Sequence, residues 1–434
     1  MSNGSRVVKN ATWIVACHIA QAVINLIINM LTARYLGPSN YGLISYAASI
    51  VAFVVPIMQL GLNAVLVQEI VNNPEKEGET LGTALCLNVI SSIVTTGFVV
   101  LFSAVVNHGE KETIVVCALY SLTLMFQAIM MIQYWFQAKL ISKYTSIVSL
   151  IAYTLVAGYR VVLLVTQKSI YWFAVSQALD YLLIAFSLII IYRKLGGKKF
   201  KFSFNRAKQL LGSGRYYVLS AMMVTIFAQT DKIMLKLMIN EEATGLYTVA
   251  VTCAGMTSFV FAAIIDSFRP VIVKSKAVDQ RSFEAKMSLL YSVIIYCSLF
   301  QSLLISVLSK QIIHVLYGSA YSSAAGVLGL VVWYTTFSYL GAVRDVWILS
   351  ERKEKYLWCI NLTGALANVI LNLCLIPIYG TIGAALASFI TQIFTNVVLG
   401  FIIRPIRENN KLMVKGLDVR PLVRLARSIV LKRK

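Results

Sequence analysis

Apolar residues fill this chain in blocks of about twenty, the length a helix needs to cross a bilayer, and only short polar gaps separate them. The blocks show neither the alternation of a half-buried strand nor the single narrow stripe of a soluble helix. They predict an all-α integral membrane protein with twelve transmembrane helices, at about 11–33, 41–62, 81–105, 113–136, 144–165, 170–192, 216–238, 246–268, 287–308, 324–348, 356–376 and 381–403. The largest polar gap, Arg193–Arg215, holds eight Lys and Arg residues and the pair Gly196-Gly197, and it divides the spans six and six. The expected organisation is a six-helix lobe over 1–193, a basic linker over 194–215, a second lobe over 216–404 and a basic tail over 405–434. Gly42-Leu43, Ser45 and Ala47 open the second span, and Gly245-Leu246, Thr248 and Ala250 open the eighth in the same order 203 residues later. That recurrence reads as two pseudo-symmetric repeats.

Composition agrees with the pattern: 58% of the 434 residues are hydrophobic and 13% charged, with mean hydropathy +0.76. The net charge of +21 would suggest nucleic acid in a soluble chain. Here the cations lie between spans and set topology, so no nucleic-acid partner is expected. Of the 39 Lys and Arg residues, 32 fall on the side that carries both termini and five on the other, with Arg160 and Lys232 inside spans. By the positive-inside rule both termini are cytoplasmic. The first span follows Arg6 and Lys9 with no small-residue cleavage site, which reads as a retained helix. In the tail, nine basic residues over Arg407–Lys434 with Leu422, Leu425, Ile429 and Val430 near helical spacing fit an amphipathic helix on anionic lipid, or a solvated tail. The seven cysteines form no Cys-x-x-Cys pair and read as packing residues.

The polar residues inside the spans are the candidate chemistry, because a charge at the bilayer centre costs on the order of 3 kcal/mol and usually faces protein or water. Thr225, Gln229, Lys232 and Lys236 share one face of the seventh span, with Asp231 about 100° round. His18, Gln21, Asn25 and Asn29 line the first span, Asn361, Asn368 and Asn372 the eleventh, and Ser388, Gln392 and Asn396 the twelfth. The fifth carries Ser146, Ser149, Tyr153 and Arg160, and the sixth Ser176, Asp180 and Ser187. One such stripe is equally polar glue between helices. Stripes on six spans of both halves point to a hydrated central cavity between two lobes. Arg160 either snorkels outward or joins Lys232 as a second fixed cation, suited to phosphate. Asp180 and Asp231 are then counter-charges or coupling groups for Na+ or H+. The chain has no phosphate-cradling Gly-x-x-x-x-Gly-Lys-[Ser/Thr] loop, no Gly-x-Ser-x-Gly elbow and no His-Glu-x-x-His pair. With neither motor nor catalytic centre, it reads as a secondary transporter and not an enzyme, without cofactor.

Three patches carry a resemblance. Leu31-Thr-Ala-Arg-Tyr-Leu-Gly37-Pro38-Ser-Asn-Tyr41-Gly42 resembles the end of the first span in Wzx-type polysaccharide flippases. Gln229-Thr-Asp231-Lys232-Ile-Met-Leu235, followed by Gly245-Leu-Tyr247 and Ala250, resembles their seventh-span signature, and Pro377-Ile-Tyr379-Gly380-Thr-Ile-Gly383-Ala384-Ala385 the entry to their twelfth. The resemblance implies the fold of the multidrug/oligosaccharidyl-lipid/polysaccharide exporter superfamily, the MATE-like fold, with two six-helix lobes around a cavity. It implies a substrate too: a polyprenyl-pyrophosphate-linked oligosaccharide repeat unit, moved to the outer leaflet of a bacterial inner membrane for O-antigen (lipopolysaccharide) or capsule assembly. Membrane lipids and the polysaccharide polymerase and export machinery are the implied partners. Substrate contacts are then expected from Lys232, Arg160, Gln229, Asn25, Asn29, Asn368 and Gln392, and ion coupling from Asp231 and Asp180. A drug/cation antiporter of the same superfamily is the alternative, and it would want an anionic or aromatic lumen. A membrane glycosyl-transfer enzyme would need a large outer loop, which the short outer connections do not supply. The charge asymmetry predicts that cysteines placed in 198–208 or in the tail are labelled only from the cytoplasmic side; labelling from outside intact cells overturns the twelve-span topology.

Overall fold

The computed structural model describes the backbone of Asn3–Arg420 together with Leu422, and the side chains from Cys17 onward except His18. The His18 position of the first stripe and the tail positions Leu425, Ile429 and Val430 therefore lie outside the described side chains. Among the described residues there is no strand. This follows from the solvent: in hydrocarbon every backbone N–H and C=O must be satisfied within its own segment, which helices do. In chain order the helices are α1 (Asn3–Met58), α2 (Leu62–Asn72), α3 (Glu77–Val106), α4 (Lys111–Ile129), α5 (Gln133–Ala138), α6 (Lys143–Val165), α7 (Ile170–Lys194) and α8 (Phe204–Met238). There follow α9 (Glu241–Gly255), α10 (Ser258–Val278), α11 (Gln280–Val307), α12 (Ser309–Tyr317), α13 (Ala324–Ser350), α14 (Lys355–Ile393), α15 (Leu399–Ile402) and α16 (Arg407–Lys415).

Ten stretches of the described residues are long and apolar enough to cross a membrane. Two of them, Ile19–Asn72 with 54 residues and Lys355–Ile402 with 48, are too long for one crossing. Straight, they would reach roughly 70–80 Å against a hydrocarbon layer of about 30 Å. Each bends at a glycine, Gly37 in α1 (φ 74°, ψ 172°) and Gly380 in α14 (φ 56°, ψ −129°). Counting both arms of each gives the twelve expected crossings. The boundaries move where short helices were invisible to a twenty-residue pattern. Helix α2 follows the left-handed turn at Leu60 and Gly61, and α12 occupies what the pattern gave as an irregular connection after 308. Only 195–203 of the expected linker is irregular, because α8 begins at Phe204.

Helix α3 shows how the membrane inverts the soluble pattern. Its buried side carries Asn88, Ser92, Thr95 and Ser103, while Val94, Leu101 and Val105 are about two-thirds exposed. Polar side chains face protein because lipid offers them no partner.

The chain forms two compact units, Met1–Gln229 and Thr230–Lys434. In the first, Trp135 stands edge-on to Phe136 and Tyr192 at 5.1 and 4.8 Å, within a core that includes Ile70, Leu81 and Leu188. The basic segment is tied down there. The Lys198 ammonium donates to the Pro74 and Glu75 carbonyls at 2.9 Å each, and Arg206 donates to Thr80 Oγ1 at 3.0 Å and pairs with Glu69 at 2.8 Å. The second unit is built on Phe283, Met287, Tyr291, Val343 and Trp347. The first helix of the tail, α16, packs into this unit: Tyr291 donates to Asn409 Oδ1 at 2.8 Å and Asn410 Nδ2 to the Val397 carbonyl at 2.7 Å.

Both bends use backbone regions that L-residues occupy only at a cost of about 1–3 kcal/mol. Gly37→Ala and Gly380→Ala should each lower the thermal midpoint of the purified protein. Gly158→Ala, inside α6 with open space at the missing methyl, should leave it equal or higher. Fluorescence-detected size exclusion after heating reads all three.

Candidate functional site

The seventh-span cluster divides between two environments. Within the second unit, Asp231 at the end of α8 is 6% exposed, and its carboxylate accepts hydrogen bonds from three helical arms. Tyr247 on α9 donates its hydroxyl to Oδ2. Asn372, on the arm of α14 before Gly380, donates Nδ2 to Oδ1 at 2.6 Å, and Ser388, on the arm after it, donates Oγ to Oδ2 at 2.5 Å. The Gly380 bend is what allows one helix to reach the same carboxylate twice. The two arms run so close that a Cβ on Gly383 would strike the Leu375 carbonyl. Asn368 completes the group, accepting from Asn372 Nδ2 at 3.1 Å and donating to Ser388 Oγ at 3.5 Å. Asn372 Oδ1 is buried with no hydrogen-bond partner among the described residues. The result is a cluster of carboxylate, amide and hydroxyl oxygens, the donor set that hard cations and protons prefer and thiol- or imidazole-seeking metals do not.

Lys232 is half-buried one residue further on. Its carbonyl accepts from Thr244 Oγ1 at 3.3 Å, while its ammonium makes no hydrogen bond or ion pair among the described residues. Lys236, in contrast, is buried and paired with Glu241 at 3.0 Å.

Other expected positions go elsewhere. Gln392 accepts from Asn396 Nδ2 at 2.5 Å and so belongs to a separate network around Arg344. That arginine, which the charge count placed with the cytoplasmic cations, is 4% exposed and spends its fork on the Thr395 carbonyl at 3.0 Å, Asn396 Oδ1 at 2.9 Å and Asp345 at 2.9 Å. The Thr395 carbonyl lies in a π-helical turn, Phe394–Val398, whose changed register presents it to a side chain. Arg344 sits among apolar residues near the end of a span, so position alone gave no sign that it was interior. Tyr247 was quoted only as part of a motif, because one phenol in an apolar run carries no periodic signal.

In the first unit, Asn29 donates to Asn25 Oδ1 at 2.9 Å. Arg160 faces α7, donating Nε to Ser176 Oγ at 2.9 Å and Nη2 to Gln177 Oε1 at 2.8 Å. Asp180 is 2% exposed, with Oδ1 unpartnered and no direct ion pair to Arg160 among the described residues. Gln229 lines a cavity of about 310 Å³ with residues of α1, α4, α7 and α8.

A family model described as polysaccharide biosynthesis protein matches residues 7–276. The capsular polysaccharide biosynthesis protein CapF of Staphylococcus aureus is 23% identical over 399 residues, covering 89% of this chain and 96% of that protein. An uncharacterized membrane protein of Methanocaldococcus jannaschii is also 23% identical, over 91% of this chain and 84% of its own. Among solved structures, the lipid II flippase MurJ in an inward closed conformation superposes with TM-score 0.72 at 15% identity, covering 94% of this chain and 91% of its own. An inward-facing multidrug resistance MATE family transporter of the MOP superfamily superposes with TM-score 0.67 at 12% identity, covering 90% and 95%. The fold is therefore the MATE-like one, and the chain is a multi-pass membrane protein.

Tyr247→Phe and Ser388→Ala each remove one donor from a buried carboxylate. Each should cost about 1.5–3 kcal/mol of stability, the range for a hydrogen bond to a charged group. In an Asp231→Asn background the cost of Tyr247→Phe should shrink, read as thermal midpoints in a double-mutant cycle; strictly additive losses would show that hydroxyl and carboxylate do not act on each other.

Proposed function

This chain belongs to the polysaccharide biosynthesis protein family, and from that premise we propose that it is a secondary transporter. It flips polyprenyl-pyrophosphate-linked oligosaccharide repeat units from the cytoplasmic to the outer leaflet of a bacterial plasma membrane by alternating access. The product feeds assembly of a surface polysaccharide, O-antigen or capsule, and both termini are cytoplasmic, as the charge asymmetry favours. The observation that carries this reading is the ammonium of Lys232, uncommitted among the described residues, on the residue that follows Asp231 in α8. A pyrophosphate leaving water loses hydration that only fixed cations and polar donors replace, and a lysine holds phosphate as a point charge. Arg206, Lys236 and Arg344 are each bound to an acid in place.

Transport then draws on an ion gradient and not on ATP bound by this chain, with Na+ or H+ as the coupling ion. The residues present fit such an ion: Asp231, Asn368 and Asn372 would hold it, and its charge would neutralise the carboxylate. The unpartnered Oδ1 of Asn372 supports this, and Asp180, whose Oδ1 is also unpartnered, is the second coupling candidate. The same family premise favours a transporter over an enzyme.

The test is complementation of a flippase-deficient strain with membrane abundance recorded alongside. Lys232→Arg should keep part of the export. Lys232→Ala and Lys232→Glu should fall to about a tenth or less, the equivalent of losing one charge-assisted contact. Normal export by Lys232→Ala would overturn the anchor. Extrusion of cationic drugs by the wild type, without export, would favour the antiporter.

A further inference from the structure

The first unit holds a cavity that the charge chemistry of Lys232 and Asp231 leaves unused. Its volume is about 310 Å³, at the low end of the roughly 300–1,000 Å³ typical of small-ligand sites. Among the described residues no charged side chain lines it. Ala48, Val51, Ala52 and Val55 of α1 give it an apolar part, and Tyr120, Tyr181, Gln127, Gln177 and Gln229 a polar one. Thr123 lines the cavity too.

Arg160 stands behind this lining. With Nη2 on Gln177 Oε1 and Nε on Ser176 Oγ, the guanidinium holds the carbonyl oxygen of Gln177, a residue of the cavity lining. Arg160 is thus a positioning residue for Gln177.

We propose that this cavity binds an uncharged pyranose ring of the saccharide that the transporter carries, an inference that rests on the transport reading above. A pyranose has apolar C–H faces that lie on aromatic rings and a rim of hydroxyls that both donate and accept. Amides and phenols meet such a rim in both directions, and tyrosine offers an apolar face with a polar tip. A pyrophosphate would find no compensating cation on these walls. The volume admits a single ring, so the site would read one sugar of the repeat unit.

The test is saturation-transfer NMR on the full-length protein in lipid nanodiscs, with three methyl glycosides: glucopyranoside, galactopyranoside and N-acetylglucosaminide. At least one should show transfer above empty discs. Gln177→Leu and Gln127→Leu should each weaken it about fivefold, the effect of one neutral hydrogen bond. Arg160→Lys, which keeps the charge but loses the fork, should weaken it in parallel with Gln177→Leu while the protein still elutes as a folded monodisperse peak. Inorganic pyrophosphate should not compete. No signal above empty discs, a signal indifferent to both Gln177→Leu and Gln127→Leu, or displacement by pyrophosphate would each overturn the proposal. A wild type that binds a glycoside but exports nothing would sink the transport reading and leave the site standing; one that exports but binds none of the three would do the reverse.

Discussion

A carboxylate in a membrane-spanning helix must be surrounded, and Asp231 shows what that demands of the chain. An unpaired ion at that depth is expensive, so several hydrogen-bond donors must converge on it at once. Tyr247 comes from the next helix, while Asn372 and Ser388 come from the two arms of one helix sixteen residues apart in sequence. That last pair is possible only because Gly380 turns the chain through a backbone region closed to other residues and Gly383 lets the arms cross without a side chain between them. Sequence features that look unrelated, a glycine pair, an asparagine ladder and a lone serine, are thus consequences of one buried charge.

The same logic sorts the basic residues. Arg206 is fixed by Glu69, Lys236 by Glu241 and Arg344 by Asp345 and carbonyls, and Arg160 is held by neutral groups of α7. Removing one partner of such a set leaves an uncompensated buried group, which costs more than the pair contributes. These cations organise local packing. Lys232 differs in having its backbone engaged and its ammonium uncommitted among the described residues.

Much of this was legible beforehand. Apolar block length gave the crossings, because bilayer thickness sets it, and helical spacing gave the Asn368, Asn372 and Ser388 stripes that meet at Asp231. Spacing gives a face, however, and not what the face meets. Gln392 shares its stripe with Ser388 yet bonds into the Arg344 network, since the π-helical turn after Ile393 rotates the following residues. The short helices α2 and α12 escaped for a different reason: fewer than twelve residues cannot be distinguished from a connection by a pattern scaled to the bilayer. The cavity lining was half visible. Tyr120, Thr123 and Gln127 lie three and four apart on α4, and Gln177 and Tyr181 four apart on α7, but each face alone has the composition of ordinary interhelical glue. Only their convergence with α1 and α8 makes a site.

The separation of chemistries between the units has a physical rationale for any carrier of a lipid-linked saccharide. Its cargo combines a dianionic linker with neutral hydroxylated rings, and the two parts need opposite surroundings. A fixed cation in low dielectric strengthens the hold on phosphate, but the same cation exposed among sugar hydroxyls would favour any passing anion over the ring. Placing Arg160 behind Gln177 eases that conflict, because its guanidinium is bonded to the Gln177 carbonyl oxygen and polarises the amide without itself lining the cavity. Specificity for a sugar then rests on hydrogen bonds that a wrong hydroxyl pattern would leave unmade, each costly to bury unpaired. On the transport reading proposed above, grip on the phosphate rests on a fixed cation and polar donors, and substitutions at Gln177, Gln127 or Tyr181 would change the saccharide accepted while the charged apparatus around Asp231 and Lys232 stays as it is.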